Sequence, residues 1–102
     1  MQSAVISSTK PDSEMSSVYA TPNPVPPDYY NDVAIRGLAE KTVVRITDLR
    51  GNLVHETMSN GGSAMWNLCN RDGRRVETGI YLIQCTTTDG VTRNAGKIHV
   101  VK

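Results

Sequence analysis

Apolar and polar residues alternate with a period of two from residue 32 onward, which is the pattern of half-buried β-strands. Val33 and Ile35 share one face of a first strand, and a second strand is predicted over residues 42–48. The turn that follows places Gly51 where a positive φ is needed, so the segment 53–58 is expected to return as the second arm of a hairpin.

The second half of the chain continues this alternation. A short strand is predicted over residues 63–67, where Ala64 and Trp66 share a face. The most apolar segment begins at Gly79 and is apolar on both faces at its start, which is typical of an interior strand. One of its faces carries three alternating core candidates: Tyr81, Ile83 and Cys85. A final strand is predicted over residues 91–101.

The elements together indicate the fold class. Residues 18–20 are expected to add a short edge strand, and no window of ten or more residues combines helical periodicity with capping residues. About seven short strands separated by turns predict an all-β fold, an immunoglobulin-like antiparallel β-sandwich.

The stretch from Trp66 to Tyr81 joins two of these strands and is interpreted as structural. Its rings suit core packing, Gly73 suits a turn, and Asn70 and Asp72 are expected to bond nearby backbone amides.

The last predicted strand is the best candidate for a partner surface. It places Ile98 and Val100 inward, carries Lys97 and Lys102, and has nothing after it to cover it. If it lies at a sheet edge, another protein can read its free backbone groups by strand addition. The alternative is a last strand whose lysines only deter aggregation.

The N-terminal part differs in composition. Residues 1–17 are rich in Ser, Thr and Pro and are expected to form a disordered linker or the remnant of an upstream region, which leaves residues 18–102 as one domain. Four prolines within residues 22–27 remove the donors of a sheet ladder, so this segment is expected to skirt a sheet.

Composition narrows the function classes. The chain has 102 residues, 38% of them hydrophobic, and a formal net charge of +1, with no basic cluster longer than Arg74-Arg75. A nucleic-acid surface is therefore not expected. No segment reaches the length of a membrane span, and no signal peptide is evident, so the chain is expected to be cytosolic or part of a longer secreted protein.

Candidate chemistry is sparse. The residues that could supply a nucleophile and base or hold zinc are not paired at short spacing; they are Cys69, Cys85, His55 and His99. The run Asn70 to Gly73 resembles half of a calcium loop, but Gly79 stands where a glutamate is needed. We expect no enzyme activity, no cofactor and no metal, with Cys85 in the core and Cys69 as a free thiol; a disulfide between them, which the spacing alone does not forbid, is the alternative. Loop tyrosines keep a sugar-binding surface open as an alternative: Tyr19, Tyr29 and Tyr30.

Several motifs, in this order and spacing, resemble the C-terminal sorting domain of proteins exported by the type IX secretion system of Bacteroidetes. The resemblance covers residues 19–102 and rests on the segments 19–25, 33–38, 44–54, 66–67, 73–82 and 96–102. Its structural motif residues are Pro22, Asn23, Pro24, Gly51, Trp66, Gly73, Gly79 and Tyr81.

The resemblance implies an immunoglobulin-like domain at the end of a larger cargo protein that passes through the periplasm. Partners would be the outer-membrane translocon with its shuttle proteins and a sortase-like peptidase, with delivery to the cell surface or release. The export signal of such domains corresponds to residues 90–102, and the residues expected to contact the translocon are Gly96, Lys97, Ile98, Val100, Val101 and Lys102.

The chain departs from that family where Asn67 and Leu68 follow Trp66, because relatives commonly have Asp and Gly there. The turn must then be built without glycine, and Cys69 is unusual. A structural assembly module, such as the immunoglobulin-like domain of flagellar hook-capping proteins, shares part of the pattern and is the alternative function.

Overall fold

The computed structural model describes residues 18–101. The predicted linker, residues 1–17, and the candidate partner residue Lys102 lie outside the described residues. Seven strands occur in the described part: β1 (Tyr19–Thr21), β2 (Val33–Arg36), β3 (Val43–Thr47), β4 (Leu53–Met58), β5 (Ser63–Trp66), β6 (Gly79–Thr86) and β7 (Thr92–Val100). They form two antiparallel sheets, with strand orders β1-β2-β5 and β4-β3-β6-β7. The predicted all-β, immunoglobulin-like sandwich is confirmed.

The core fills the space between the sheets. The face of β2 and β5 that turns inward contributes Ile35 and Trp66, both fully buried. The predicted inward face of β6 is buried as expected, and the Trp66 and Tyr81 rings lie with centroids 5.6 Å apart at a tilt of 59°. Each such large side chain contributes about 1.5–3 kcal/mol through burial, so these inward faces determine the strand register.

The chain changes sheets between β4 and β5, a step that sequence periodicity does not reveal. Ser59 lies at this crossing, where its hydroxyl donates to the Ala39 carbonyl at 2.7 Å and accepts from the Thr42 amide at 2.9 Å. Both Ser59 and Thr42 are buried, so these bonds satisfy polar groups that water does not reach. Gly62 follows at φ 89°, a conformation that glycine adopts without strain.

The four-stranded sheet places β6 in its interior, as the sequence predicts, and β7 at an edge. The three-stranded sheet has β1 at one edge. Among residues 18–101, no helix is long and apolar enough to cross a membrane.

Candidate functional site at the last strand

The predicted partner residues of β7 divide between two environments. Ile98 and Val100 are fully buried, opposite Tyr81 and Gly79 of β6, and belong to the core. Lys97 is exposed and lies opposite Leu82 on the outer face of the sheet. Only part of the predicted set is therefore accessible to a partner.

A β-bulge interrupts β7 just before this segment. Gly96 lies opposite Ile83 and Asn94 opposite Gln84, which leaves Ala95 as the extra residue. Gly96 has φ 151°, a backbone region that non-glycine residues rarely adopt. A Cβ atom at this position would have the Ile83 Cδ1 atom as its nearest neighbour, at 3.9 Å. The conformation, not the available space, therefore favours glycine here.

The prediction that nothing covers the last strand is wrong for its C-terminal half. Val25 forms a parallel bridge with Val100. Its amide donates to the His99 carbonyl at 2.7 Å, and its carbonyl accepts from the Val101 amide at 2.9 Å. The proline-rich segment thus skirts the sheet, as predicted, but in doing so it occupies the outer edge of β7.

Asn23 extends this contact with its side chain. Its Nδ2 donates to the Lys97 carbonyl at 2.9 Å, and its Oδ1 accepts from the His99 amide at 3.0 Å. The carboxamide therefore offers the same donor and acceptor as a peptide group of a neighbouring strand. We refer to residues 22–25 as the edge clamp; the Thr21–Pro22 and Asn23–Pro24 peptide bonds in it are cis.

The edge clamp brings together two residue sets that the sequence treats separately. Pro22, Asn23 and Pro24 belong to the structural motif, whereas Lys97 belongs to the predicted partner surface. Asn23 and Lys97 are 74 positions apart, so periodicity and local turn chemistry carry no signal for this contact.

The N-terminal half of β7 is the accessible half. Thr92, Arg93 and Asn94 are exposed. Within the described residues 18–101, no segment pairs with the outer edge of β7 between Thr92 and Gly96. Here a row of backbone groups remains available to another chain.

The stretch from Trp66 to Tyr81 matches the prediction except at Asp72, where the backbone amide and not the side chain makes the hydrogen bond. The Trp66 indole donates to the Cys69 carbonyl at 3.0 Å, and the Tyr81 hydroxyl donates to the Glu77 carbonyl at 2.7 Å. Asn70 Oδ1 accepts from two amides of its own turn, while Asp72 contributes its backbone amide to that turn. These hydrogen bonds hold the loop together.

A shallow cavity of about 340 Å³ opens between this loop and the end of β3. Its lining is mixed in charge and includes Asp48, Arg74, Arg75, Glu77 and Tyr81. The Arg75 guanidinium carbon lies 5.3 Å from the ring centroid of Tyr30, within the range of a cation–π contact. Burial raises the pKa of the Tyr81 hydroxyl, which keeps this group protonated as a hydrogen-bond donor.

The candidate metal and nucleophile residues are not brought together. His55 lies on β4 and His99 on β7, at opposite edges of the same sheet. Cys69 lies in the loop and Cys85 is buried on β6, and both thiols are free. No group of three or more His, Cys, Asp or Glu residues that could hold a metal occurs in the described part of the chain.

The loop tyrosines occupy different environments. Tyr29 packs against the core and its hydroxyl donates to the Asp32 carbonyl at 2.7 Å, whereas Tyr30 is 80% exposed. Tyr19 lies on β1 with 55% of its surface exposed.

Comparisons with known proteins identify solved structures that resemble this domain. No family model matches the chain, and no curated protein matches it. PorZ of Porphyromonas gingivalis, an essential bacterial surface component of the type IX secretion system, matches 90% of the chain at 32% identity with a TM-score of 0.78. The resemblance to type IX secretion domains is confirmed. Dimeric latent PorU from the same organism matches 82% of the chain at 25% identity with a TM-score of 0.62.

The chain spans only 12% of the PorZ chain and 9% of the PorU chain, so the likeness concerns one domain of each. These likenesses support a role related to type IX secretion, and they point to a secreted or surface-associated protein.

Proposed function

We propose that this chain is a non-enzymatic sorting domain that directs a larger cargo protein across the outer membrane through the type IX secretion system. The cargo passes through the periplasm and reaches the cell surface or the medium. The observation that carries the proposal is the 32% identity to PorZ over 90% of the chain, in a sequence that also has the motifs of the sorting domains.

The translocon and its shuttle proteins are the proposed partners, and a sortase-like peptidase is a further one. We assign their contact surface to the accessible residues of β7, with Lys97 and His99 on its outer face. Ile98 and Val100 support this surface from within the core and do not contact the partner directly.

The test is a fusion of the full chain to a signal-peptide-bearing reporter, expressed in a Bacteroidetes strain with an intact type IX system and in a strain without its translocon. We expect reporter at the surface or in the medium of the first strain only. Equal delivery in both strains, or retention in both, would refute a sorting role.

A structural assembly module is the second candidate, because PorZ is itself a component of the secretion machinery. In that case the reporter fusion stays in the periplasm, while an affinity-tagged chain recovers secretion-machinery proteins from the cell envelope.

A further inference from the structure

The edge clamp occupies the backbone groups that a partner strand would use. The clamp bonds to the Lys97 carbonyl, to the amide and carbonyl of His99, and to the Val101 amide. These groups alternate with those of Ile98 and Val100, which face β6. Strand addition to this half of β7 and the clamped arrangement therefore exclude each other.

The edge clamp is held by a small apolar anchor. Val25 is fully buried, whereas Asn23 and Pro24 are exposed and Pro22 is half-buried. The two hydrogen bonds of the Asn23 side chain lie at the exposed surface. Detachment of the edge clamp from β7 thus exposes one valine side chain and breaks four hydrogen bonds. An incoming strand with one apolar residue in register restores the buried side chain and the hydrogen bonds.

The unpaired half of β7 adjoins the clamped half within one strand, with the β-bulge at Ala95 between them. A partner segment can begin pairing at residues 92–96, where β1 lies near β7 but no segment of the described part of the chain forms a strand pair with this edge. It can then extend toward Val101 by displacing the clamp one hydrogen bond at a time.

We propose that the edge clamp is a displaceable occupant of the β7 edge, and that the export partner recognises the domain by putting an extended backbone segment in its place. The partner segment supplies alternating amide and carbonyl groups and one apolar side chain that takes the position of Val25. This inference rests on the proposed sorting function and names how the partner binds.

A disulfide that locks the clamp provides the test. Val25 and Val100 are direct bridge partners with buried side chains, so cysteines at these positions have Cα atoms within disulfide range. The locked variant carries Val25→Cys and Val100→Cys in a Cys69→Ser background. Cys85 remains, because burial raises the pKa of its thiol to about 11 and keeps it unreactive. The two single-cysteine variants in the same background are the controls.

We expect the locked fusion to reach the surface about tenfold less than either control, because locking removes the binding-competent state. Thermal unfolding establishes that the locked domain is folded. Delivery of a folded, locked fusion at the level of the controls would overturn the proposal.

Asn23→Ala weakens the edge clamp, whereas the disulfide locks it, and so tests the proposal without a cross-link. We expect amide exchange at His99 to rise about tenfold while that at Ile98 is unchanged, since only the His99 amide loses its acceptor. Export should be at least that of the wild-type chain. Asn31→Ala is the control, because Asn31 is exposed and makes no hydrogen bond to the described residues.

Loss of export by a folded Asn23→Ala variant would make the clamp part of the recognised surface and would also overturn the proposal. The wild-type fusion distinguishes failure of this inference from failure of the proposed sorting function. If the sorting function is wrong, delivery of the wild-type fusion does not depend on the translocon.

Discussion

At the scale of single residues, Leu68 carries the most unusual backbone conformation in the core. It has φ 64°, although its side chain is fully buried. The left-handed region costs a non-glycine residue about 1–2 kcal/mol. This is the turn that the sequence requires to be built without glycine, and the structure shows that leucine adopts the glycine conformation while filling the core.

Substitution at Leu68 separates the cost of its positive φ from the stabilisation by its buried side chain. We expect Leu68→Ala to lower the free energy of unfolding by about 2–5 kcal/mol through the lost packing. Leu68→Gly should be as stable as Leu68→Ala or up to about 1 kcal/mol more stable, because glycine relieves the positive φ. Denaturant unfolding of both variants measures the difference.

Leu38 is the matched control, since it is buried but is not at positive φ. There glycine should be less stable than alanine, as is usual. A Leu68→Gly variant clearly less stable than Leu68→Ala would contradict the strain argument.

The two cysteines should differ in reactivity. Burial raises the pKa of the Cys85 thiol to about 11, whereas Cys69 is half-buried in a loop. At about pH 8 we expect a thiol reagent to modify Cys69 alone in the folded protein, because Cys85 is both covered and protonated. Mass spectrometry counts the labels on the folded and on the denatured protein. A second label on the denatured protein is the control, because it shows that Cys85 reacts once it is uncovered. Modification of Cys85 at the rate of Cys69 in the folded protein would contradict its placement in the core.

At the scale of elements, the β3–β4 hairpin depends on one carboxylate. Asp48 accepts hydrogen bonds from the Asn52 amide at 2.9 Å, from Asn52 Nδ2 at 3.0 Å and from the Arg50 amide at 2.9 Å. The Asn52 bonds are the main reason that the pKa of Asp48 lies below its usual value of 3.8.

A lowered carboxyl pKa in the folded state makes stability depend on pH. The contribution of Asp48 is present above the unfolded-state pKa and is lost as the pH falls through the lower folded-state pKa. We expect Asp48→Asn to flatten the decline in unfolding free energy on acidification. Hydrogen bonds from Thr87 and Val91 lower the pKa of Asp89 in the same direction, so the double variant with Asp89→Asn should flatten it further. An unchanged acid profile in the double variant would show that these turns do not contribute.

The elements also show how far sequence reasoning reaches. The predicted strand at 53–58 matches β4, and the other strands differ from their predictions by a few residues at their ends, because alternation follows directly from one buried face. Gly51 and Gly73 have the positive φ that their turns require.

The edge clamp could not be predicted in the same way. Prolines indicate that residues 22–27 avoid a ladder, but not which strand they approach. Asn23 contacts β7 through its side chain, a role that turn chemistry does not reveal. The sequence therefore raises the last strand as a candidate edge and misses that half of this edge is already occupied.

At the scale of the whole molecule, the last strand serves the fold and the proposed recognition together. Ile98 and Val100 lie in the core, and Val25 is anchored beside them. A deletion of this strand, as a direct test of the proposed partner surface, would therefore also damage the sandwich. Loss of export after such a deletion does not distinguish an unfolded domain from an unrecognised one.

We expect deletion of residues 97–102 to remove about 3–6 kcal/mol of burial energy from two core side chains alone. Because a small domain has a total stability of only about 5–15 kcal/mol, the truncated chain should lose its cooperative thermal transition. The double variant Lys97→Ala with His99→Ala changes only exposed side chains and should alter the unfolding free energy by less than about 0.5 kcal/mol.

Export of this double variant then decides what the outer face of β7 contributes. If the translocon reads these side chains, the folded variant is retained in the periplasm while a control with Arg36→Ala on β2, exposed on the other sheet, is delivered normally. If the double variant is delivered like the control, recognition rests on the backbone edge of β7 alone. Circular dichroism on the purified wild-type chain, the double variant and the Arg36→Ala control establishes that the comparison is between folded domains.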